Sequence, residues 1–223
     1  MRPLLIVFLV GNNHFLCVLY TEMNLEAAIL HLKQDTHLQK VILTTAVPPF
    51  APSGRVYFDL LESIVSQQLS TKAATTIFNR FCALFPEGYP NPEALISINP
   101  EQLRTAGLSI QKAAYLKNVA RFSLENDLEN YNWTALSDQD TIQMLTAIKG
   151  VGRWTAEMVL MFTLGRPDVF PIDDLGIQQS MIKLFGLTES GKNLHHRMLE
   201  HAEPWRPYRT VACRYLWRWK DNS

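Results

Sequence analysis

The chain has 223 residues and a hydrophobic fraction of 47%, enough for one large globular domain or two small lobes. Its 21 basic and 21 acidic residues balance, and a pI near 7.0 counts mildly against a nucleic-acid-binding protein. Three widely spaced cysteines, Cys17, Cys82 and Cys213, argue against a disulfide framework, a zinc site and an iron–sulfur cluster. They favour a reducing, intracellular location.

Residues 1–22 are apolar but interrupted at residues 11–14, and each apolar run is too short to span a bilayer. No small-residue cleavage site follows cleanly, which argues against a signal peptide. We therefore expect no membrane association. We interpret residues 1–22 as an extension or a misassigned start, with translation beginning at Met23, and residues 24–223 as the functional domain.

Helical patterns dominate the amino-terminal half. Asn24 is placed to cap the first helix, and residues 41–43 are the best strand candidate, although a weak one. Three prolines and a glycine within residues 47–54 predict a loop. Apolar residues at helical spacing then predict a helix that begins near Tyr57, and Ser70 is placed to cap the next one.

Helix-start and helix-stop residues continue through the second half. Pro92 and Pro100 each predict the start of a short helix, and Ser109 and Ser137 predict caps. Later helices are predicted over residues 175–185 and from about residue 207 onward. About ten helices with short connections, and no convincing strand, predict an all-α protein.

Two segments carry basic residues without any acid. They are residues 112–121 and residues 205–220. Local basic faces of this kind bind phosphate even in a chain of zero net charge. The alternative is a pair of ordinary solvated faces. The basic residues concerned are Lys112, Lys117, Arg121, Arg206, Arg209, Arg214, Arg218 and Lys220.

The most informative stretch runs from Leu145 to Asp174, where a Gly-Val-Gly break separates two helices. Gly150 and Gly152 lack a Cβ, so the turn can adopt positive φ and approach a ligand closely. The N–H groups at the start of the second helix form an anion site, and a DNA phosphate is the ligand we expect. The alternative is a tight helix–helix turn without a ligand.

Several motifs together resemble a known family. Leu145 to Ala156 (LxxIxGVGxWTA) resembles the helix-hairpin-helix signature of the base-excision DNA glycosylases, and Asp174 matches that superfamily's catalytic aspartate. The segments 66–74, 107–120 and 205–219 resemble its alkylation-repair branch, DNA-3-methyladenine glycosylase II, in the same order. The resemblance covers most of the chain and implies a two-lobed helical fold with a cleft between the lobes.

The resemblance implies that Asp174 is the catalytic residue. Its carboxylate would stabilise the positive charge that develops on the deoxyribose and would orient or deprotonate the attacking water. The alternative is that both aspartates only cap a helix, and we adopt that interpretation for Asp173. Glycosylases that also cleave the strand have a lysine where this chain has Trp154, so the resemblance implies a monofunctional enzyme.

The resemblance also implies the remaining site residues. Aromatic rings in the pocket would stack on a flipped, cationic base, although core packing is the alternative for both tryptophans. The pocket residues are Trp154, Trp217, Met158 and Leu175, the last two standing where the best-known bacterial relative has tyrosines. The side chain that fills the gap left by the base falls on Gln68, with Leu69 as the fallback. The DNA-binding residues of the hairpin are Lys149, Gly150, Gly152, Arg153 and Thr155.

The sequence thus predicts a monomeric enzyme that releases alkylated purines such as 3-methyladenine from double-stranded DNA and leaves an abasic site. We expect no catalytic metal and no cofactor, except a monovalent cation held by the carbonyls of the hairpin, as in relatives. One alternative is a glycosylase for a deaminated or oxidised base. Another is a non-catalytic helix-hairpin-helix protein that binds DNA structure, for which a carboxylate at Asp174 has no use.

Overall fold

The computed structural model describes residues 25–48 and 51–221. All regular secondary structure in those ranges is helical, which confirms the all-α prediction. The interpretation of residues 1–22, the start at Met23 and the cap at Asn24 concern residues outside these ranges, so they stay predictions. None of the helices in the described ranges is both long and apolar enough to cross a membrane.

Twelve α-helices follow one another within the described ranges. Their bounds are α1 (25–32), α2 (Thr36–Thr44), α3 (Val56–Ser66), α4 (Thr71–Cys82), α5 (Pro92–Ser97), α6 (Pro100–Thr105), α7 (Ile110–Asn126), α8 (Asp138–Thr146), α9 (Arg153–Met158), α10 (Leu175–Phe185), α11 (Gly191–Ala202) and α12 (Arg209–Asp221). A π-helical segment, Val159–Thr163, continues α9 directly.

Side-chain caps set the start of many helices, as the sequence predicted. Ser70, Ser109 and Ser137 each accept a hydrogen bond from a backbone N–H three residues on, at the start of α4, α7 and α8. The two proline-started helices have an additional cap that the sequence analysis did not name. Asn91 and Asn99 accept hydrogen bonds from the first-turn N–H groups of α5 and α6.

The strand candidate at residues 41–43 was wrong, because these residues belong to α2. Asp35 caps that helix, with its Oδ1 accepting from the N–H groups of His37 and Leu38. Leu38, Val41 and Ile42 are all buried, at the i, i+3, i+4 spacing of one helix face. Burial of that face overrides the local strand preference of the β-branched residues.

The most extensive helix packing falls into two groups. In the first group α7 packs on α3, α5 and α6, and α8 packs on α9. In the second group α2, α10 and α12 pack on one another. Helix α1 lies beside the loop before α12, since Nε2 of His31 is 2.9 Å from the carbonyl oxygen of Pro204 and the His31 ring packs on the Tyr208 ring. The two groups are the two lobes, and the loop between Thr163 and Leu175 passes from one to the other.

Candidate active site

The two glycines of the hairpin serve different purposes. Gly150 has a φ of +111°, and a Cβ there would lie 2.4 Å from Cγ of Tyr115. Gly152 has an ordinary φ of −90°, and a Cβ there would meet nothing within 4 Å. The fold therefore requires a glycine at position 150 but not at position 152. An absent side chain at Gly152 keeps open the space in front of α9.

The start of α9 is an uncapped helix end. Gly152 is the cap residue and has no side chain to accept a hydrogen bond from the first-turn N–H groups. Lys149 and Arg153 are exposed on either side of it. Thr155 is buried, so only its backbone N–H, and not its hydroxyl, is directed by the helix toward a ligand in this space.

The hairpin carbonyls accept hydrogen bonds from three directions. The oxygens of Ile148, Lys149 and Gly150 accept from Val151 N at 3.0 Å, from Asn118 Nδ2 at 3.1 Å and from Gln67 Nε2 at 3.3 Å. A carbonyl has two lone pairs, so each retains one. Neutral backbone oxygens are ligands that suit a monovalent cation, and the cation expected at the hairpin stays a prediction. The described residues contain no His, Cys, Asp or Glu cluster for another metal.

Three donors hold the Asp174 carboxylate. Asp174 is the cap of α10, and its Oδ1 accepts from Ile177 N at 2.8 Å. The Trp217 indole N–H donates to the same oxygen at 2.8 Å, and the Trp154 indole N–H donates to Oδ2 at 2.8 Å. Because Trp154 lies on α9 and Trp217 on α12, the carboxylate joins the two lobes. The structure thus brings Asp174, Trp154 and Trp217 together beside the hairpin.

The predicted pocket residues differ in how far they are exposed. Trp154 is 43% exposed and Leu175 is 70% exposed, so neither is a core residue. Met158 and Trp217 are half-buried. Core packing, the alternative for both tryptophans, therefore does not describe Trp154.

Two residues near Trp217 were not identified from the sequence. The Phe162 ring packs on the Trp217 ring with centroids 5.9 Å apart. A Cβ on Gly176 would lie 2.9 Å from Cδ1 of Trp217 and 3.0 Å from Oδ1 of Asp174, so only glycine leaves room for this contact. A glycine inside the first turn of a helix is a poor helix former, and that was the available signal.

Asp173 does not cap α10, which corrects our interpretation of it. The cap is Asp174, one residue later. Asp173 is mostly exposed, and one of its oxygens lies 3.8 Å from Nε2 of His195. The two adjacent acids therefore differ because only the second has the extended backbone and the helix N–H groups of a cap position.

Glu157 is a buried acid that the sequence analysis missed. Its side chain is 3% exposed, and Oε1 accepts from Nε of Arg153 at 2.9 Å. Its Oε2 is buried and has no hydrogen-bond partner among the described residues. Burial raises the pKa of Glu157, although the Arg153 guanidinium acts to lower it, and the nearby Asp173 and Asp174 carboxylates raise it further.

The turn that follows α3 carries the predicted gap-filling residues. Gln68 is exposed and has a φ of +59°, and Leu69 is partly exposed. The neighbouring Gln67 donates from Nε2 to the carbonyl of Gly150. This turn is therefore attached to the hairpin, and both lie on one side of the molecule.

Several basic side chains of the two segments are paired within the protein, whereas Arg121 and Arg218 are exposed. Lys112 and Lys117 each donate two hydrogen bonds to backbone carbonyls at helix ends. In the second segment Arg206 and Arg209 pair with Asp168. The acid needed to balance these arginines lies far from them in sequence, so composition of the segment alone could not predict the pairing.

Comparisons with known proteins agree with this architecture. Residues 61–207 match the family model described as HhH-GPD superfamily base excision DNA repair protein. The chain is 38% identical over 164 residues to DNA-3-methyladenine glycosylase 1 of Schizosaccharomyces pombe, covering 73% of this chain and 71% of that protein. It is 32% identical over 203 residues to the putative DNA-3-methyladenine glycosylase YfjP of Bacillus subtilis, covering 88% and 70%.

A solved structure is similar along nearly the same length. The 3-methyladenine DNA glycosylase Mag1 of Schizosaccharomyces pombe, in complex with abasic DNA, matches with a TM-score of 0.72 at 35% identity. The match covers 86% of this chain and 95% of that one. With well over half of its residues matched by the family model, this chain belongs to the HhH-GPD superfamily of base excision DNA repair proteins.

Proposed function

We propose that this protein is a monofunctional DNA glycosylase that releases alkylated purines such as 3-methyladenine from double-stranded DNA. Family membership and relatives named DNA-3-methyladenine glycosylase support this proposal. The observation that carries it is the Asp174 carboxylate, half-buried and held by two indole N–H groups next to an exposed tryptophan face.

The proposed reaction breaks the bond between C1′ of the deoxyribose and the base nitrogen. A purine methylated on a ring nitrogen is cationic, so it takes the bonding electron pair and leaves as a neutral base. The sugar becomes positively charged, and the Asp174 carboxylate stabilises that charge. Water then adds its oxygen to C1′ and gives its proton to Asp174, leaving an abasic site.

Trp154 has two roles in this proposal. Its indole N–H holds Oδ2 of Asp174, while the exposed ring face is available to stack on a flipped base. An electron-rich ring attracts a cationic base more than a neutral one, which favours alkylated purines as substrates. An indole forms no Schiff base, so water is the nucleophile that remains.

The hairpin binds the DNA backbone in this proposal. The N–H groups at the start of α9 would bind a phosphate, with Lys149 and Arg153 adding positive charge. Such a contact does not depend on the base sequence. A repair enzyme requires contacts of this kind because lesions occur in every sequence context. Since a Cβ at Gly152 would contact nothing in the protein, Gly152→Asp should weaken binding to every duplex without unfolding the chain.

The proposal is tested by incubating the protein with duplex DNA treated with dimethyl sulfate and identifying the released bases by mass. We expect 3-methyladenine among the products and an intact strand that carries abasic sites. A parallel panel contains duplexes with hypoxanthine, uracil or 8-oxoguanine. Release of only one of these bases would mean that the substrate is that lesion rather than an alkylated purine. Release of no base from any of the duplexes would reject the glycosylase function.

A further inference from the structure

The turn between α3 and α4 is held from two sides. Lys112, on α7, donates from Nζ to the carbonyl of Val65 at 2.6 Å and to that of Gln67 at 2.8 Å. Gln67 in turn donates from its side chain to the carbonyl of Gly150 in the hairpin. The backbone on one side of Gln68 is therefore tied both to α7 and to the hairpin.

Gln68 itself has a costly backbone conformation. Its φ of +59° lies in the left-handed region, which side chains other than glycine, asparagine and aspartate rarely adopt. A strained backbone conformation of this kind persists only where the surrounding structure enforces it. The exposed Gln68 side chain has no protein contact that explains this conformation within the described residues.

The hydrogen bonds of Lys112 can hold Gln68 in this backbone conformation. The last carbonyls of a helix lack partners within the helix, and an ammonium group both donates to them and complements the negative helix end. Lys112 does this at the end of α3, from a partly buried position where burial lowers the pKa of its ammonium. A charged donor at the carbonyls of Val65 and Gln67, on either side of the end of α3, fixes the direction in which the chain leaves this helix.

We propose that Lys112, with Gln67, is a positioning residue for base extrusion: the two hold the turn so that Gln68 stands out from the surface to enter the gap in the DNA. This rests on the proposed function. The tie between Gln67 and Gly150 also fixes the distance between the gap-filling residue and the phosphate-binding hairpin. Lys112 itself touches neither DNA nor the leaving base.

The chain contains a matched control on the same helix. Lys117 donates from Nζ to the carbonyls of Ile96 at 2.9 Å and Ile98 at 2.7 Å, at the end of α5. Its chemistry equals that of Lys112, but the chain end that it holds carries no predicted DNA contact. Lys117→Met and Lys112→Met therefore remove the same kind of interaction and should lower the melting temperature by similar amounts.

The experiment measures single-turnover base release from a duplex with one 7-methylguanine, placed opposite cytosine or opposite a tetrahydrofuran abasic analogue. We expect Lys112→Met to lower the rate opposite cytosine about tenfold, equivalent to 1.4 kcal/mol in the barrier. The deficit should shrink opposite the abasic analogue, where no base pair holds the lesion in the stack. Lys117→Met should keep the wild-type rate on both duplexes.

Three outcomes would overturn the inference: a wild-type rate for Lys112→Met, an equal deficit on both duplexes, or an equal deficit for Lys117→Met. Should Lys112→Met fail to fold, Gln67→Leu removes the tie to Gly150 without burying or exposing a charge, and the same pair of duplexes applies. Wild-type protein on dimethyl sulfate-treated DNA runs in parallel. If wild-type protein releases no base, the proposed function is rejected. If it releases bases and the variants give one of the contradicting outcomes, only the role of Lys112 and Gln67 is rejected.

Discussion

Two carboxylates, Glu157 on α9 and Asp174 at the start of α10, differ in their exposure and in the number of their hydrogen-bond donors. Asp174 is partly exposed, and three N–H groups donate to its two oxygens. Glu157 is buried and has one donor, Arg153, while its second oxygen has no partner among the described residues. The Asp174 carboxylate, which we propose faces the substrate, is thus held by donors at both oxygens, whereas one oxygen of the buried Glu157 has no partner among the described residues. We therefore expect orientation by these donors, rather than burial, to prepare Asp174 for its proposed role.

The largest expected effect comes from removing the charge of Asp174. Asp174→Asn retains a cap residue of equal quality, so the fold should persist. We expect base release to fall by roughly 10²- to 10⁴-fold, since the amide neither stabilises the sugar cation nor accepts a proton. Single-turnover release and binding to undamaged duplex are the measurements, and binding should be retained. Asp173→Asn is the matched control, and equal losses in both variants would contradict the role of Asp174.

A smaller effect is expected from removing one of the donors to Asp174. Trp154→Phe retains an aromatic face but loses the indole N–H, and a hydrogen bond to a charged group is worth about 1.5–3 kcal/mol. The base-release rate should fall by about one order of magnitude, with little change in DNA binding. Trp219→Phe, whose ring lies against Lys183, is the control. An unchanged rate for Trp154→Phe would show that the indole does not orient the carboxylate.

Glu157 should make stability depend on pH. Because burial raises the pKa of Glu157 above its ordinary 4.5, the folded state binds this proton more tightly than the unfolded state. The stabilisation is therefore complete below pH 4.5 and is lost as the pH rises through the folded-state value. The glutamine of Glu157→Gln does not titrate. As the pH rises through this range, the free energy of unfolding of the variant should therefore increase relative to that of wild type. The increase is about 1.4 kcal/mol for each unit of difference between the folded-state and unfolded-state pKa of Glu157.

Urea unfolding of both proteins at a series of pH values measures this difference. Parallel curves would mean that Glu157 has the same proton affinity in both states. The Oε2 atom of Glu157 would then have a hydrogen-bond partner that lies outside the described residues.

The smallest effect is expected from Arg153→Ala. The substitution removes one charge beside the hairpin, so the dependence of DNA affinity on salt should become weaker by about one counterion. It also removes the group that lowers the pKa of Glu157, so the pH dependence of stability should become steeper. Arg104→Ala, which breaks an exposed pair with Glu101, is the control. An unchanged salt dependence would place Arg153 away from the DNA.

Much of the helical pattern was available from the sequence because caps and breaks are local. Ser70, Ser109 and Ser137 each act on N–H groups within three residues, and prolines limit their own neighbourhood. The strand candidate at residues 41–43 failed because its outcome depended on distant helices. Asp174 was identified as the catalytic candidate from the resemblance of its motif, because the sequence does not distinguish an aspartate that caps a helix from a catalytic one.

By itself the sequence determined where many of the helices begin, where the hairpin turns and which acid matches the family's catalytic position. Only the tertiary structure decided that two indoles hold that acid, that Gly176 makes room for one of them, and that Lys112 binds helix ends rather than phosphate. The physical reason is the separation along the chain between the groups that interact. A cap or a turn is settled by groups within one helical turn, whereas a hydrogen-bond partner can lie far away in the chain, as Trp205 lies 170 positions from Asp35.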